Sequence, residues 1–336
     1  MINFKKVGLT ALAGSLVAFS ANAAEFTVAG GIEVTYTDTG GTQQNSITGN
    51  SYGANSSMTF SASGDVGFGT VSATRALSDA GVLATSYQTL DMGDMGIFSF
   101  DSSAGALVGS TANDDLMPTA YEEVWTGVGA SGISGVGSTN VIGYQNTFAG
   151  ISISAGYTNG EGATQTTESS NSGVVALTGV AAHGSTTDVY LSMAPMDGVT
   201  WGVGYVSNGG TNNSTSNDRD TEEWVSNLVY SAGPVSVGYR MAQSDSGVIS
   251  TAGKDIEHYS VAFNINDNLA ISVGRQDTET NDIGPTKAIT EEITGISAAY
   301  TIGAASIRFN HSESDNDGGV AAVVAEKTEL GVVLAF

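Results

Sequence analysis

The residues with the most chemistry to offer are carboxylates. Asp101, Asp114, Asp115, Glu122 and Glu123 fall within one stretch, and ESDNDG (313–318) packs three more acids into six residues. Oxygen ligands at that density suit Ca²⁺, which takes several carboxylate and carbonyl oxygens at once. Asp114, Asp115 and Glu122 are the calcium candidates of the first stretch. The second starts like a calcium loop, but it begins with Glu and has Val324 where the twelfth-position Glu belongs. No pattern requires a cofactor. Other constellations fail on context. Gly127, Gly129 and Gly132 spell GxGxxG, yet no helical pattern follows and no acid stands about 20 residues on, as a dinucleotide site needs. His183, His258 and His311 lie far apart, without HExxH or any Cys to complete a zinc site. There is no GxSxG elbow, no P-loop and no Ser-His pair that can be placed together. The expectation is a protein that is not an enzyme.

The acids must be positioned by whatever elements the rest of the chain forms. Lys5 and Lys6 precede an apolar run from Val7 to Phe19 that ends in Ala21-Asn22-Ala23, which predicts a secretory signal peptide over 1–23 and a mature chain over 24–336. That run is shorter than the ~20 apolar residues of a spanning helix. Without the leader, eight basic residues stand against 34 acidic ones, a formal charge of −26. So acidic a chain repels nucleic acid and attracts cations. Charged residues make up only 13%, against roughly 25% in an ordinary soluble domain. Hydrophobic residues at 40% exclude a disordered acidic chain.

Period-two alternation recurs from end to end. In EFTVAGGIEVTYTD, Phe26, Val28, Ile32, Val34 and Tyr36 share one parity, while Thr27, Glu33 and Thr35 share the other. The pattern returns in VTWGVGYV, PVSVGYRM, HYSVAFNI and ELGVVLAF. Short turns such as SAGP (231–234), NIND (264–267) and TIGA (301–304) alternate with long polar stretches. The spacing predicts about sixteen strands. Their polar face carries Gly, Ser, Thr and Asn rather than the Lys and Glu of a soluble sandwich. This favours an all-β fold in which a closed antiparallel barrel meets lipid on one side and water on the other. At sixteen strands such a barrel is wide enough for an aqueous channel.

By these features the mature chain resembles the general diffusion porins of Gram-negative outer membranes. The resemblance rests on the terminal strand EKTELGVVLAF, on YQTLDMGDMGIFSF (87–100) and on TNVIGYQNTFAGISISAGYTNG (139–160), taken in order. It implies a transmembrane barrel in the outer membrane, among lipid and lipopolysaccharide, that assembles as a homotrimer and passes small hydrophilic solutes and ions. It further implies that Phe336 is an assembly signal and that a long third loop, about 96–138, folds into the lumen. On that loop Asp114, Asp115, Glu122 and Glu123 would line the constriction, with Asp101 nearer its base. Basic partners follow from parity: Arg240 and Arg308 point into the lumen, Lys327 shares lumenal parity with Glu329, and Arg75 is counted with these pore-wall bases although its parity is ambiguous. Arg275 shares parity with Ile271 and Val273, so a bulge, a shifted strand or an interfacial position is expected there. Family members place several bases on the early strands, whereas here Arg75 is the only base between residues 24 and 218. A cation preference follows. The rival readings are a substrate-specific channel, or a surface adhesin or receptor whose lumen is closed.

Overall fold

Alternating chain becomes strand almost wherever it occurs. The computed structural model describes residues 25–42, 51–79, 81, 83–103, 116–129, 141–158, 185–209, 220–245, 253–281 and 289–336. The signal-peptide segment and the apolar stretch 173–182 lie outside these residues. Sixteen strands follow one another: β1 (Glu25–Gly41), β2 (Tyr52–Asp65), β3 (Thr70–Leu77), β4 (Leu83–Asp91), β5 (Ile97–Ser103), β6 (Val141–Phe148), β7 (Ile151–Thr158), β8 (Thr186–Met196), β9 (Val199–Asn208), β10 (Thr221–Ala232), β11 (Val235–Asp245), β12 (Lys254–Asn266), β13 (Leu269–Thr280), β14 (Thr290–Ile302), β15 (Ala305–Asp315) and β16 (Val324–Ala335). Each pairs antiparallel with its sequence neighbours, and β16 returns to β1 to close the barrel. At the seam Phe336 N–H donates to Gly30 O at 2.9 Å and Gly30 N–H donates to Phe336 O at 2.8 Å. Closure leaves no edge, so the ladder satisfies the backbone where no water can.

The two faces are reversed relative to a soluble protein. Val34, Leu228 and Ile307 are about half exposed on the outside, whereas Ser272, Gln276, His258 and Asn310 are buried within. An apolar band of this extent meets lipid acyl chains. Tyrosine pairs border the band, with ring centroids 5.4 Å apart for Tyr36 and Tyr52 and 5.0 Å for Tyr239 and Tyr259. Such rings suit the lipid headgroup level. The short connections turn where expected, and Gly233 and Gly303 adopt φ of 58° in two of them, a conformation open to Gly at no steric cost.

Two expectations need correcting. Residues 97–103 of the predicted inward loop belong to the sheet, because Phe98 and Phe100 sit on the outer face of β5 and hold Ile97–Ser103 there. Arg75 is not a lumenal base. It lies opposite Phe60 across the β2–β3 ladder, and Phe60 stacks on the exposed Phe26 at 6.4 Å, so Arg75 belongs to the outer face. For Arg275, the register runs through without a bulge. Its charge is met on the outer face instead, where the guanidinium pairs with Asp277 at 2.9 Å and Glu292 at 3.0 Å on the far side of Val273 and Ile271 from the short turn.

Candidate functional site

Residues 116–129 have neither helix nor strand of their own and lie against the inner wall. The wall is shaped to receive them. The registers Gly238↔Ser260, Ser260↔Gly274, Gly274↔Gly295 and Gly295↔Ser312 set five small residues in one circumferential row. Three of them lack Cβ, which leaves a trough. Met117 and Pro118 occupy the space where a Gly238 side chain would stand, and Val124 covers Gly274 and Gly295. In the neighbouring row Ser272 and Ser297 take up the loop backbone: Ala120 N–H donates to Ser272 Oγ at 2.9 Å and Tyr121 N–H to Ser297 Oγ at 3.2 Å. Thr119 Oγ1 lies 3.3 Å from both serines and donates to Glu122 O at 2.7 Å. These bonds replace the ladder that a loop lacks. Val124, Trp125 and Val128 complete the contact by packing on Ile293 of β14.

Beneath the loop lie most of the inward bases. Arg240 is on the inner face of β11, as parity predicts, but it is only 1% exposed, with its Cζ 5.6 Å from the Trp125 ring centroid. A guanidinium in that position gains from the ring quadrupole. His258 lies across the ladder from Arg240 and meets Trp125 edge-on at 5.1 Å, and its Nε2 is 4.0 Å from Glu123 Oε2. Arg240 thus points inward and Glu123 meets the basic wall, but neither lines open lumen. Both are sealed between loop and wall, Glu123 at 5% exposure. Arg308 Cζ sits 5.2 Å from the centroid of the Tyr121 ring. Tyr121 O–H donates to Glu329 Oε1 at 3.0 Å, and Lys327 Nζ pairs with Glu329 Oε2 at 2.9 Å. Burial first, then the charges of Glu122, Glu329 and Glu33, push the Tyr121 hydroxyl well above its usual pKa. It remains a protonated donor. Tyr121→Phe is expected to loosen the loop by roughly 1.5–3 kcal/mol, the worth of a hydrogen bond to a charged acceptor; increased open-channel current noise would be the readout.

Of the other predicted residues, Glu122 is half-buried beside Tyr121, and Asp101 lies on β5 with its backbone paired to Tyr87 and Val141. Asp114 and Asp115 lie outside the described residues. Among the described residues no three His, Asp or Glu groups converge as a metal would require. In the 313–318 segment, Gly318 N–H and Ser314 O–H both donate to Glu291 Oε1, at 2.9 and 3.2 Å. Sequence reasoning did not single out Glu33, Tyr121 or Trp125. For Glu33 a signal existed, since it shares lumenal parity with Thr27 and Thr35.

The wall facing the loop is of another kind. Its inner face is rich in hydroxyls, which bond across strands as Ser61 with Thr74 at 3.2 Å, Ser72 with Thr89, and Thr147 with Ser152 at 3.0 Å. A cavity of about 560 Å³ opens along it beside Asp91, Gln145, Ser154, Tyr190 and Ser192. A second of about 350 Å³ separates Tyr190 and Asn227 from Leu116, Met117 and Pro118 of the loop. Space of this size and polarity holds water rather than a packed core.

Solved structures share the architecture. A porin refined at 1.8 Å superposes with a TM-score of 0.65 at 16% identity, over 93% of this chain and 100% of its own. The chain has the porin fold. OmpT of Vibrio cholerae, an outer membrane protein, superposes in a loop L8 deletion mutant with a TM-score of 0.66 at 12% identity, covering 94% of this chain and 100% of that one. An anion-selective porin from Comamonas acidovorans gives 0.62 at 14% identity, over 94% and 100%. No family model matches the sequence, and no curated protein does. What this porin fold shares with those structures is its architecture; the side chains of its lumen are its own.

Proposed function

We propose that this chain is an outer-membrane porin, a water-filled channel through which ions and small hydrophilic solutes diffuse passively with a preference for cations. The observation that carries the reading is the lumen. A polar, wet space runs inside a closed barrel with an apolar exterior, and one of its walls has no inward base. Glu33 of β1 and Glu122 of the loop are partly exposed, whereas on the loop side Arg240 is buried and Arg308 and Lys327 are partly covered. Reconstitution in planar bilayers under a salt gradient tests it. Open steps with a reversal potential toward the K⁺ equilibrium value are expected. Anion selectivity would remove the cation preference, a ligand-blocked conductance would indicate a substrate-specific channel, and no steps at all would favour an adhesin or receptor.

The same reading includes assembly as a homotrimer through the outer face of β2–β5. The short strands of the barrel, β3 to β7 at 7 to 9 residues against 11 to 13 for β10–β16, include three of this face's four. Arg75 sits about 12 Å above the short turns on this face, at ~3.3 Å per residue and ~45° tilt. Its guanidinium donates to Thr74 O at 2.8 Å, and with the Gln88 carboxamide oxygen turned toward it, both Nη atoms bond Gln88 at 2.8 and 2.7 Å. An Arg facing lipid at that depth costs ~2–4 kcal/mol, whereas a second copy of the chain shelters it. Arg75→Glu is expected to abolish the oligomer band on an unheated gel while leaving a heat-modifiable monomer. An unchanged oligomer would exclude this face.

A further inference from the structure

We infer that the inward loop is a charge mask: it turns a basic wall into an uncharged or acidic pore lining, and selectivity depends on its staying in place. Sequence and register together establish the asymmetry. Between residues 24 and 218 there is only Arg75, which faces outward, so the inner face of β1–β9 carries no base. The inward bases at the level of the loop are Arg240, Arg308 and Lys327, all on β11–β16, and each lies under a particular part of the loop. Trp125 covers Arg240 and Tyr121 covers Arg308. The Gly127 backbone lies against the Lys327 stem where a side chain would collide with it, and Glu329 neutralises the ammonium. Lys254, on the register Ser244↔Lys254↔Thr280, is the remaining inward base among the described residues and stands at the long-loop mouth of the barrel.

The loop thus does two things with one contact. It narrows the lumen, and it withdraws positive charge from water, almost wholly for Arg240 and in part for Arg308 and Lys327, where a passing ion would feel it most strongly along a low-dielectric wall. A loop that served only as a spacer would not place an aromatic ring over each guanidinium and its own backbone over the lysine. The residues that set selectivity on this wall are accordingly Tyr121 and Trp125, neither of which is charged.

The inference rests on the chain being an open channel, and its test is separable from the cation preference proposed above. In the Tyr121→Ala, Trp125→Ala double variant, confirmed as a folded barrel by heat-modifiability, the K⁺/Cl⁻ permeability ratio from reversal potentials is expected to fall about two-fold or more as the bases enter the lumen. Adding Arg240→Gln to that variant is expected to move the ratio back toward that of the unaltered chain. Arg240→Gln alone, with the loop in place, is expected to leave the ratio unchanged. A double variant whose conductance rises while its ratio stays fixed would show a size filter and no mask. A ratio that rises with Arg240→Gln alone would show that ions already sense this base, and this second arm decides the matter even if the double variant does not fold. An unaltered channel without cation preference would defeat the preference, while the difference between variants still decides the mask.

Discussion

Gly274→Leu is expected to break a steady single-channel current into several levels of different conductance. Gly274 is the floor of the trough, and a side chain there would enter the space held by Val124 of the loop, while the backbone of β12 and the His258 ring crowd it from the side. Overpacking of a fitted contact costs typically ~1–3 kcal/mol. At ~1.4 kcal/mol per factor of ten, that shifts the balance between seated and lifted loop by about 5- to 150-fold. The barrel itself keeps its ladder, since the strands pair through backbone groups, so the protein still assembles. A lifted loop re-enters the lumen and reduces current, and its return to the wall restores it. Planar-bilayer recording distinguishes this from the alternative, a single level equal to that of the unaltered protein, which would mean that Val124 does not hold the loop.

The second large effect is a reversal of selectivity by Glu33→Lys together with Glu122→Lys. Both carboxylates add to the burial that raises the Tyr121 pKa, Glu122 more than Glu33, and both are partly accessible. An ion passing at ~5 Å feels ~0.8 kcal/mol per unit charge in water. A Debye length of ~10 Å at 0.1 M salt leaves roughly 0.6 of that. Two reversals change the charge by four units, so ~2 kcal/mol is lost to cations, on the order of ten-fold or more in the permeability ratio. The expected result is a reversal potential of opposite sign in the same gradient, with the change diminishing in 1 M salt. A potential that stays cation-directed would mean that permeating ions keep away from this side of the lumen.

Register explains which parts of this structure could be anticipated from the chain. Alternation in VTWGVGYV or HYSVAFNI places a strand and its faces with no knowledge of neighbours, because the period of a strand is a local property. Parity likewise put Arg240 inward and Arg275 outward correctly. It could not show that Asp277 and Glu292 would flank Arg275, since Glu292 reaches it from the adjacent strand. The trough is harder still. Gly238, Gly274 and Gly295 are unremarked among 45 glycines, and they become one feature only when four strands, β11 to β14, settle side by side. For the same reason the burial of Arg240 and Glu123 was out of reach. It depends on a loop more than a hundred residues away in the chain from the wall that receives it, and no spacing within either segment encodes the meeting.

The seam between Gly30 and Phe336 has a consequence for the order of events in biogenesis. All other strand pairs join sequence neighbours and can zip as hairpins while the chain is still emerging. The β1–β16 pair joins the two ends of the barrel, so its closure entropy is spent in a single step that waits for the sixteenth strand. Until then the sheet is a long ribbon with two bare edges and an apolar face, the kind of intermediate that pairs with its own copies. Such a chain must be kept dilute or escorted between synthesis and insertion. A chain lacking β16 would be unable to finish, however well the preceding strands had formed.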